Sequence, residues 1–306
     1  MERLCAVSVD LDGIDCYRAL HDLEPRSAGA RAIYDRAIGR AAAFAAGEGI
    51  PLTFFAIGRD LLEGAQVDRL RAAVGERHEV ENHSLSHRYD LSRAPRAAIA
   101  EELEEASRLI AEATGRRPQG FRAPGYTLSD ALLDAVQDAG LRFDASVFPS
   151  APYLAAKTAA LAALALRGRR SVALPANPRV LLAPRGPYHP GRAFHRRGDR
   201  ALLELPVTVS PGLGLPFIGT ALSLAGPRGA AWLAARCASR RFVSLELHGL
   251  DFLSEADELA DLAPHQPDLR VPLARKKAAL TAALAVLRQR GHRFVTLAGA
   301  AEAYTQ

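Results

Sequence analysis

The 306-residue sequence has few cysteines and no long apolar run. Its three cysteines, Cys5, Cys16 and Cys237, are odd in number and lack CxxC spacing, which argues against a disulfide framework and against a thiolate zinc site. No apolar run approaches the roughly 20 residues that cross a bilayer. The first residues also lack the pattern of a secretory signal peptide. We therefore expect a soluble, cytoplasmic protein of a reducing compartment.

The formal net charge of +5 conceals an uneven distribution of charge. Residues 151–203 contain ten Lys or Arg and one acid, a charge of +9. The remainder contains 29 basic and 33 acidic residues, a charge of −4. The pattern indicates a slightly acidic body with a basic insertion, whose surface suits an anionic partner. Nucleic acid is not expected, because no pattern of aromatic residues for base stacking accompanies the arginines.

The body alternates between short β-branched runs and Ala-rich stretches with helical spacing. Strands are predicted at 5–9, 52–57, 202–209, 242–247 and 293–297, with weaker signals at 78–82, 120–123 and 143–147. Helices are predicted at 30–46, 61–74, 95–113, 130–139, 229–238 and 273–290. This alternation predicts a parallel sheet or barrel with helices outside it.

Two aspartates at the end of the first predicted strand form the first polar motif. In Asp10-Leu11-Asp12-Gly13, carboxylates two residues apart lie on one side of the chain if the strand continues through them. One of them can bind a metal while the other acts as a general acid or base. The alternative is a simple turn that closes the strand at Asp12-Gly13.

Two histidines follow the predicted strand at 78–82. His83 and His87 are four residues apart, so in a helical turn they would lie on one face and reach one ion. A carboxylate from elsewhere would complete a three-ligand set that leaves positions open for water. The alternative is a pair of structural histidines.

Two further motifs follow predicted strands. In Arg122-Ala-Pro-Gly125-Tyr126 a permanent cation precedes a fixed turn, so Arg122 can pair with an acidic catalytic group, and the N–H of Gly125 or Tyr126 can stabilise an oxyanion. A surface turn with an ordinary salt bridge is the alternative. His248 ends a strongly apolar strand before a glycine, and it can equally be a hydrogen-bonded core residue.

These motifs, in this order, resemble the polysaccharide deacetylase family (carbohydrate esterase family 4, the NodB-homology fold). The resemblance rests on Asp-x-Asp, HSxxH, RAPGY, FDASVFP at 143–149 and LHG, and it covers roughly residues 4–150 and 203–300. It implies a distorted (β/α) barrel of about seven parallel strands. It also implies a single domain over 1–306 with a basic insertion at about 151–203.

The resemblance also implies roles for individual residues. Asp12, His83 and His87 would bind a divalent metal. Zinc is the expected ion, with nickel, cobalt and manganese as alternatives. The catalytic residues would be Asp10 as base, Arg122 as its orienting partner, His248 as general acid and Asp144 as support for the histidine. Gly125, Tyr126 and Leu247 would contact the substrate. Leu11 separates two aspartates that are adjacent in most of the family, which leaves open whether Asp10 or Asp12 is the base.

The function implied is removal of an N-acetyl or N-formyl group from an amino sugar. The basic insertion favours an anionic or lipid-linked sugar, and its Ala/Leu-rich start with three arginines at 153–170 predicts either peripheral membrane contact or a helix packed on the barrel. Two other functions remain open. One is an allantoinase or cyclic-imide hydrolase, and the other is a non-catalytic carbohydrate- or lipid-binding barrel.

Overall fold

The fold is built on parallel strands, as seen in a computed structural model that describes residues 2–305. The strands among these residues are β1 (Arg3–Asp10), β2 (Thr53–Ala56), β3 (Glu79–Asn82), β4 (Gly120–Phe121), β5 (Phe143–Asp144), β6 (Leu203–Glu204), β7 (Phe242–His248) and β8 (His292–Val295). They form one sheet in the order β6-β5-β4-β3-β2-β1-β7, and β8 pairs with the first half of β1.

Helices connect the strands and cover the outside of the sheet. Within residues 2–305 they are α1 (Ile14–Leu20), α2 (Ile38–Glu48), α3 (Gly64–Val74), α4 (Arg96–Thr114), α5 (Asp130–Asp138), α6 (Ala151–Leu166), α7 (Gly219–Cys237), α8 (Leu273–Gln289) and α9 (Leu297–Thr305). A π-helical turn at Ile33–Ala37 precedes α2. Each predicted helix and strand is present, whereas α1 and α9 were not predicted. None of the helices in this part of the chain is long and apolar enough to cross a membrane.

The sheet curls so that its two ends meet beyond β6. The Val207 N–H donates to the Val147 carbonyl at 2.9 Å, which keeps the chain beside β5. The next residue crosses to β7, where the Thr208 N–H donates to the Ser244 carbonyl at 3.1 Å and the Ser244 N–H donates to the Thr208 hydroxyl at 2.8 Å. The predicted distorted (β/α) barrel is therefore confirmed.

Alternation along β7 separates an apolar exterior from a polar interior. Leu245 and Leu247 belong to the main hydrophobic cluster, together with residues of α7 and α8. Ser244 and Glu246 are fully buried and, by the two-residue period of a strand, lie on the opposite face. The helix side of this strand thus supplies apolar burial, and the inside of the barrel is left for polar side chains.

The connection between β5 and β6 is the longest in the chain. It begins with α6, which has no buried residue, and continues through 167–202 with little regular structure beyond a 3₁₀ helix at Pro178–Leu182. Its prolines fit this extended course, since proline interrupts helices and strand ladders; they stand at 175, 178, 184, 187 and 190. The basic residues of 151–203 lie on this crossover.

Candidate active site

The four polar motifs meet at one end of the barrel. Asp10 is the last residue of β1 and His248 is the last of β7, and the two are directly paired in the sheet. His83 follows β3, and Arg122 follows β4. The carboxyl ends of parallel strands share one edge, which is where barrels of this type place their chemistry. This placement agrees with the expectation, implied by the resemblance, that these residues belong to one active site.

Asp12, His83 and His87 form a compact group of potential metal ligands. The Asp12 Oδ1 atom lies 3.1 Å from His83 Nε2 and 3.3 Å from His87 Nε2. All three residues are buried, and their ligand atoms lie within 4.8 Å of one another. A second group, Asp10, Asp12 and His248, meets the same distance limit. Asp12 is common to both groups.

The two histidines do not lie on a helical turn, contrary to the expectation from their spacing. Residues 83–87 form a loop in which Ser84 and His87 adopt positive φ angles of 64° and 54°. The loop is held by side chains, because Asn82 Oδ1 accepts from the Ser84 N–H at 2.8 Å and Ser84 Oγ accepts from the His87 N–H at 3.0 Å. These local hydrogen bonds replace the helical ones and turn both imidazoles toward Asp12.

The hydrogen bonding of the two imidazoles fits a metal ion. His83 Nδ1 lies 2.7 Å from the Arg122 carbonyl, which can only accept, so Nδ1 carries the hydrogen and Nε2 presents a lone pair toward Asp12. His87 is buried, and within residues 2–305 neither of its ring nitrogens makes a hydrogen bond. Buried polar atoms normally have a partner. A divalent cation between Asp12, His83 and His87 would supply a partner for the Nε2 atom of His87.

Asp10 is held by a different partner. The fully buried Arg122 donates to Asp10 Oδ1 at 2.6 Å and to the Ser8 hydroxyl at 2.8 Å, and its guanidinium lies 4.2 Å from the centre of the Phe55 ring. Asp10 Oδ2 stays 4.0 Å from His83 Nε2. The structure therefore brings the predicted Asp10–Arg122 pair into contact and keeps Asp10 farther than Asp12 from the histidines.

The two aspartates differ in protonation behaviour because their neighbours differ. Burial raises the pKa of Asp10 above its ordinary value, although Arg122 and His83 act against this effect. Burial acts in the same direction on Asp12, but His87 and His83 hold the pKa of Asp12 well below its usual range. A group with a raised pKa suits proton transfer, and one that stays ionised suits metal binding.

His248 contacts a carboxylate other than the predicted one. Its Nδ1 lies 2.8 Å from Glu246 Oε1, and its Nε2 lies 3.8 Å from Asp12 Oδ2. Asp144 instead accepts hydrogen bonds from the Ser146 hydroxyl and N–H at 2.7 and 3.1 Å and pairs with Glu204. The prediction that Asp144 supports the histidine is wrong in this structure, because β5 directs that carboxylate toward β6 rather than toward β7.

The predicted substrate contacts are partly in place. Gly125 and Tyr126 line the cavity above the site, and Gly125 has a φ of 60° with Tyr89 only 2.7 Å from where a Cβ would lie, so only glycine fits. The Tyr126 N–H donates to the Ala123 carbonyl at 3.0 Å and is therefore occupied, which leaves Gly125 as the candidate oxyanion donor. Leu247 is wrongly predicted as a pocket residue, because it packs among the helices on the other face of β7.

A cavity of about 370 Å³ opens over the metal-ligand group. Its floor includes Asp10, Asp12 and His248, and one wall is α6. The α6 residues in this wall are mainly apolar, namely Ala156, Ala160, Leu161 and Leu164. Lys157 also lies in the wall, and its Nζ donates to the Gly125 carbonyl at 2.9 Å. The cavity thus combines a polar floor with an apolar wall that contains one ammonium group.

Sequence reasoning missed two residues of this site. Glu246 is the one acid inside the apolar run Phe242–Leu247, and a buried strand rarely accepts a charge without a purpose. Lys157 is the one charged residue of the Ala/Leu helix Ala151–Leu166. In both cases the signal was a lone charge in an apolar segment.

Comparison with known sequences finds matches to the central part of the chain. A family model described as polysaccharide deacetylase matches residues 38–143. A chitooligosaccharide deacetylase from Bradyrhizobium sp. (strain ANU 289) is 38% identical over 93 residues. That match covers 30% of this chain and 41% of the relative, so the chain aligns with about two fifths of the length of this curated protein.

Solved structures share the fold over nearly the whole chain. A Mycobacterium smegmatis protein classed as a polysaccharide deacetylase superimposes with a TM-score of 0.60 at 19% identity, covering 99% of this chain and 90% of that one. The CE4 domain of a multidomain xylanase from the hindgut metagenome of Trinervitermes trinervoides gives 0.51 at 14% identity, covering 100% and 92%. A CE4 family pseudoenzyme from Bacillus anthracis gives 0.50 at 11% identity, covering 97% and 65%. At these identities the likeness concerns the fold.

Proposed function

We propose that the chain is a polysaccharide deacetylase of carbohydrate esterase family 4, and that it is a metal-dependent hydrolase that removes an N-acetyl group from an amino sugar. The observation that carries the proposal is the buried Asp12, His83 and His87 group at the foot of an open cavity, with a base and an acid candidate beside it. The one-domain organisation over 1–306, with an insertion at about 151–203, stays a prediction.

The proposed roles follow from the contacts of each residue. Asp12, His83 and His87 would hold the cation, and zinc is the expected metal because it accepts two imidazoles and one carboxylate while leaving positions open. When bound, the metal would polarise the amide carbonyl and lower the pKa of its water toward about 7. Asp10, oriented by Arg122, would accept the proton of the attacking water.

Departure of the sugar amine requires a second group. An amine leaves an amide very slowly unless it is protonated as the C–N bond breaks, so a general acid must lie on the leaving side. His248 is the candidate, because its side chain lines the cavity floor, its Nε2 lies 3.8 Å from Asp12 Oδ2 and about a quarter of the side chain is exposed. The Gly125 N–H would stabilise the developing oxyanion.

The cavity wall favours a substrate that is both apolar and anionic in part. The apolar side chains of α6 would contact an acyl or polyprenyl group, and Lys157 would pair with a phosphate. We therefore propose a lipid-linked or otherwise anionic N-acyl sugar as the preferred substrate, with chitooligosaccharides as the general class. N-formyl sugars are included in the same test as the alternative acyl group.

We also propose that α6 binds peripherally to a membrane surface, without crossing the bilayer. This helix is mostly Ala and Leu with Lys157 as its one charged residue, none of its residues is buried, and Leu166 is 89% exposed. Arg167, Arg169 and Arg170 follow it directly, and such a cluster attracts anionic lipid headgroups. The cytoplasmic location remains a prediction of the sequence.

Acetate and formate release tests the proposed reaction. The purified chain, loaded with zinc and then separately with cobalt, nickel or manganese, would be given N-acetylchitooligosaccharides, a phosphorylated N-acetyl sugar, an N-formyl sugar and allantoin. We expect acetate release that is abolished by chelation and restored by metal, with a lower KM for the phosphorylated substrate. Ring opening of allantoin without acetate release would instead identify a cyclic-amide hydrolase, and inactivity on all substrates would favour a binding protein.

Vesicle binding tests the membrane contact separately. The chain would be sedimented with phosphatidylglycerol vesicles and with neutral phosphatidylcholine vesicles. We expect binding to the anionic vesicles that is lost in Leu166→Asp, while Leu213→Asp, a change at a leucine that is 68% exposed outside the insertion, serves as the matched control. Equal binding of both variants would contradict the role of α6.

A further inference from the structure

Glu246 is a buried carboxylate whose close contact is the imidazole of His248. The side chain has no solvent exposure, and its Oε1 lies 2.8 Å from His248 Nδ1. Within residues 2–305, neither carboxylate oxygen has a partner in hydrogen-bond geometry, so the approach of the imidazole is an ion-pair contact. An ionised group in such a place is costly unless it is paired, and the imidazole contact compensates it together with the charge of the buried Arg122.

The position of Glu246 on β7 lets this contact fix the orientation of the His248 ring. Glu246 and His248 are two residues apart on a strand, so their side chains lie on the same side, toward the barrel interior. The Asp251 N–H also donates to the His248 side chain, so a hydrogen on Nδ1 depends on the Glu246 carboxylate, which only accepts. The other ring nitrogen, Nε2, is then turned toward Asp12 at 3.8 Å and toward the cavity.

We propose that Glu246 is the positioning residue of the site, which holds the His248 ring with Nδ1 protonated and Nε2 directed at the leaving amine. The inference rests on the proposed hydrolysis of an amide. It assigns to β7 itself a task that the sequence motifs had assigned to Asp144 on β5. The orientation of the ring and its partner therefore come from one strand, seven residues long, rather than from two separate elements.

The surroundings of Asp144 agree with this assignment. Its two oxygens accept from the hydroxyl and the N–H of Ser146, and it pairs with the buried Glu204. The Ser146 hydroxyl also accepts from the Ala123 N–H at 2.8 Å, so this group braces the loop that contains Gly125. Asp144 thus has a structural role in holding Ser146 and the loop that contains Gly125.

The first test compares two leaving groups in Glu246→Gln. With an N-acetyl sugar the amine must be protonated, and we expect kcat to fall about 10²- to 10³-fold with KM changed less than about 3-fold. With 4-nitrophenyl acetate the leaving phenolate needs no proton, and we expect a change below about 5-fold. Glu246→Asp should recover part of the amide activity. Metal content, measured in parallel, should stay that of the wild type.

Glu204→Gln is the matched control for loss of a buried carboxyl group in the barrel interior. Burial and the neighbouring Asp144 raise the pKa of Glu204 well above its ordinary value, so the neutral form is already the stable one and glutamine resembles it. We expect the ratio of amide to ester activity in this variant to match the wild type. A similar loss in Glu204→Gln and Glu246→Gln would overturn the inference.

A second test does not depend on turnover. The ¹⁵N resonances of the His248 ring, assigned by comparison with His248→Ala, report which nitrogen carries a hydrogen. We expect Nδ1 to be protonated in the wild type and to lose that preference in Glu246→Gln. A wild-type ring with an unprotonated Nδ1 would overturn the inference even if the enzyme is active. If the wild type releases no acetate, the proposed function fails, and the ¹⁵N result still decides the role of Glu246.

Discussion

Replacing Arg122 with methionine should destabilise the protein far more than the loss of an exposed charge. The guanidinium is fully buried and donates to Asp10 at 2.6 Å, to the Ser8 hydroxyl at 2.8 Å and to the Ala145 carbonyl at 3.0 Å. Methionine would fill much of the space but would leave these acceptors without a donor. Breaking a buried ion pair by removing one partner typically costs about 3–5 kcal/mol. We expect a loss of that size in the free energy of unfolding.

A double-mutant cycle separates the ion pair from the rest of the loss. Asp10→Asn removes the charge that Arg122 compensates, so the double variant Asp10→Asn/Arg122→Met should be more stable than the sum of the single losses, by about 2 kcal/mol or more. Urea denaturation followed by far-UV circular dichroism measures all four proteins. A chelator in every sample keeps metal binding from adding to the stability of some variants only.

An exposed pair provides the control for this cycle. Arg96 pairs with Asp138 at the surface, where both side chains are more than half exposed. Arg96→Met should change the free energy of unfolding by less than about 1 kcal/mol. The reasoning would be refuted if Arg122→Met stays within about 1 kcal/mol of the wild type, or if its effect and that of Asp10→Asn simply add.

Three further predictions concern the site itself. His248→Ala should keep its bound metal, measured by atomic absorption, while kcat falls at least about 10²-fold, and near-normal turnover would exclude it as the acid. Gly125→Ala should lower both stability and activity, because φ is 60° and the new Cβ would lie 2.7 Å from the Tyr89 ring; an unchanged urea midpoint would contradict this. Burial lowers the pKa of Lys157 to about 8, so its positive charge is present below that pH and lost above it. KM for a phosphorylated substrate should therefore rise as the pH increases through about 8 in the wild type, and Lys157→Met should show a high KM with no such rise.

The position of the site could be predicted from the sequence because it depends on topology. Asp10, His83 and His248 each follow a predicted strand, Arg122 lies near the end of the one predicted at 120–123, and in a parallel barrel all strand ends of one kind share an edge. Knowing which segments were strands was therefore sufficient to place these residues together. The pairing of Arg122 with an acidic residue was predicted from its permanent charge beside a fixed turn, and the family resemblance implied Asp10 as the partner.

The details of the site depend on tertiary contacts that spacing does not encode. The spacing of His83 and His87 suggested a helical turn, but hydrogen bonds from Asn82 and Ser84 favour a loop with two positive φ angles. Leu247 was predicted beside the substrate, yet the two-residue period of β7 places it among the helices once His248 faces the cavity. In this second case the sequence already contained the information needed for the right answer.

The partner of His248 is an example of a competition between two carboxylates. Asp144 and Glu246 both lie at the barrel interior and are fully buried. Which of them reaches the imidazole depends on the side-chain directions of β5 and β7, and Glu246 has the advantage of sharing a strand with the histidine. A motif names a residue type at a position, whereas the structure decides which of two similar groups makes the contact.

The most direct test of the account is a titration of acetate release against bound zinc in the wild type and in Asp12→Asn. Metal would be removed by chelation and restored stepwise, with N-acetylchitooligosaccharide as substrate. The account predicts that activity rises linearly to a plateau at one zinc per chain, and that Asp12→Asn neither retains the ion nor releases acetate. Full acetate release by the metal-free wild type, or by Asp12→Asn, would contradict it.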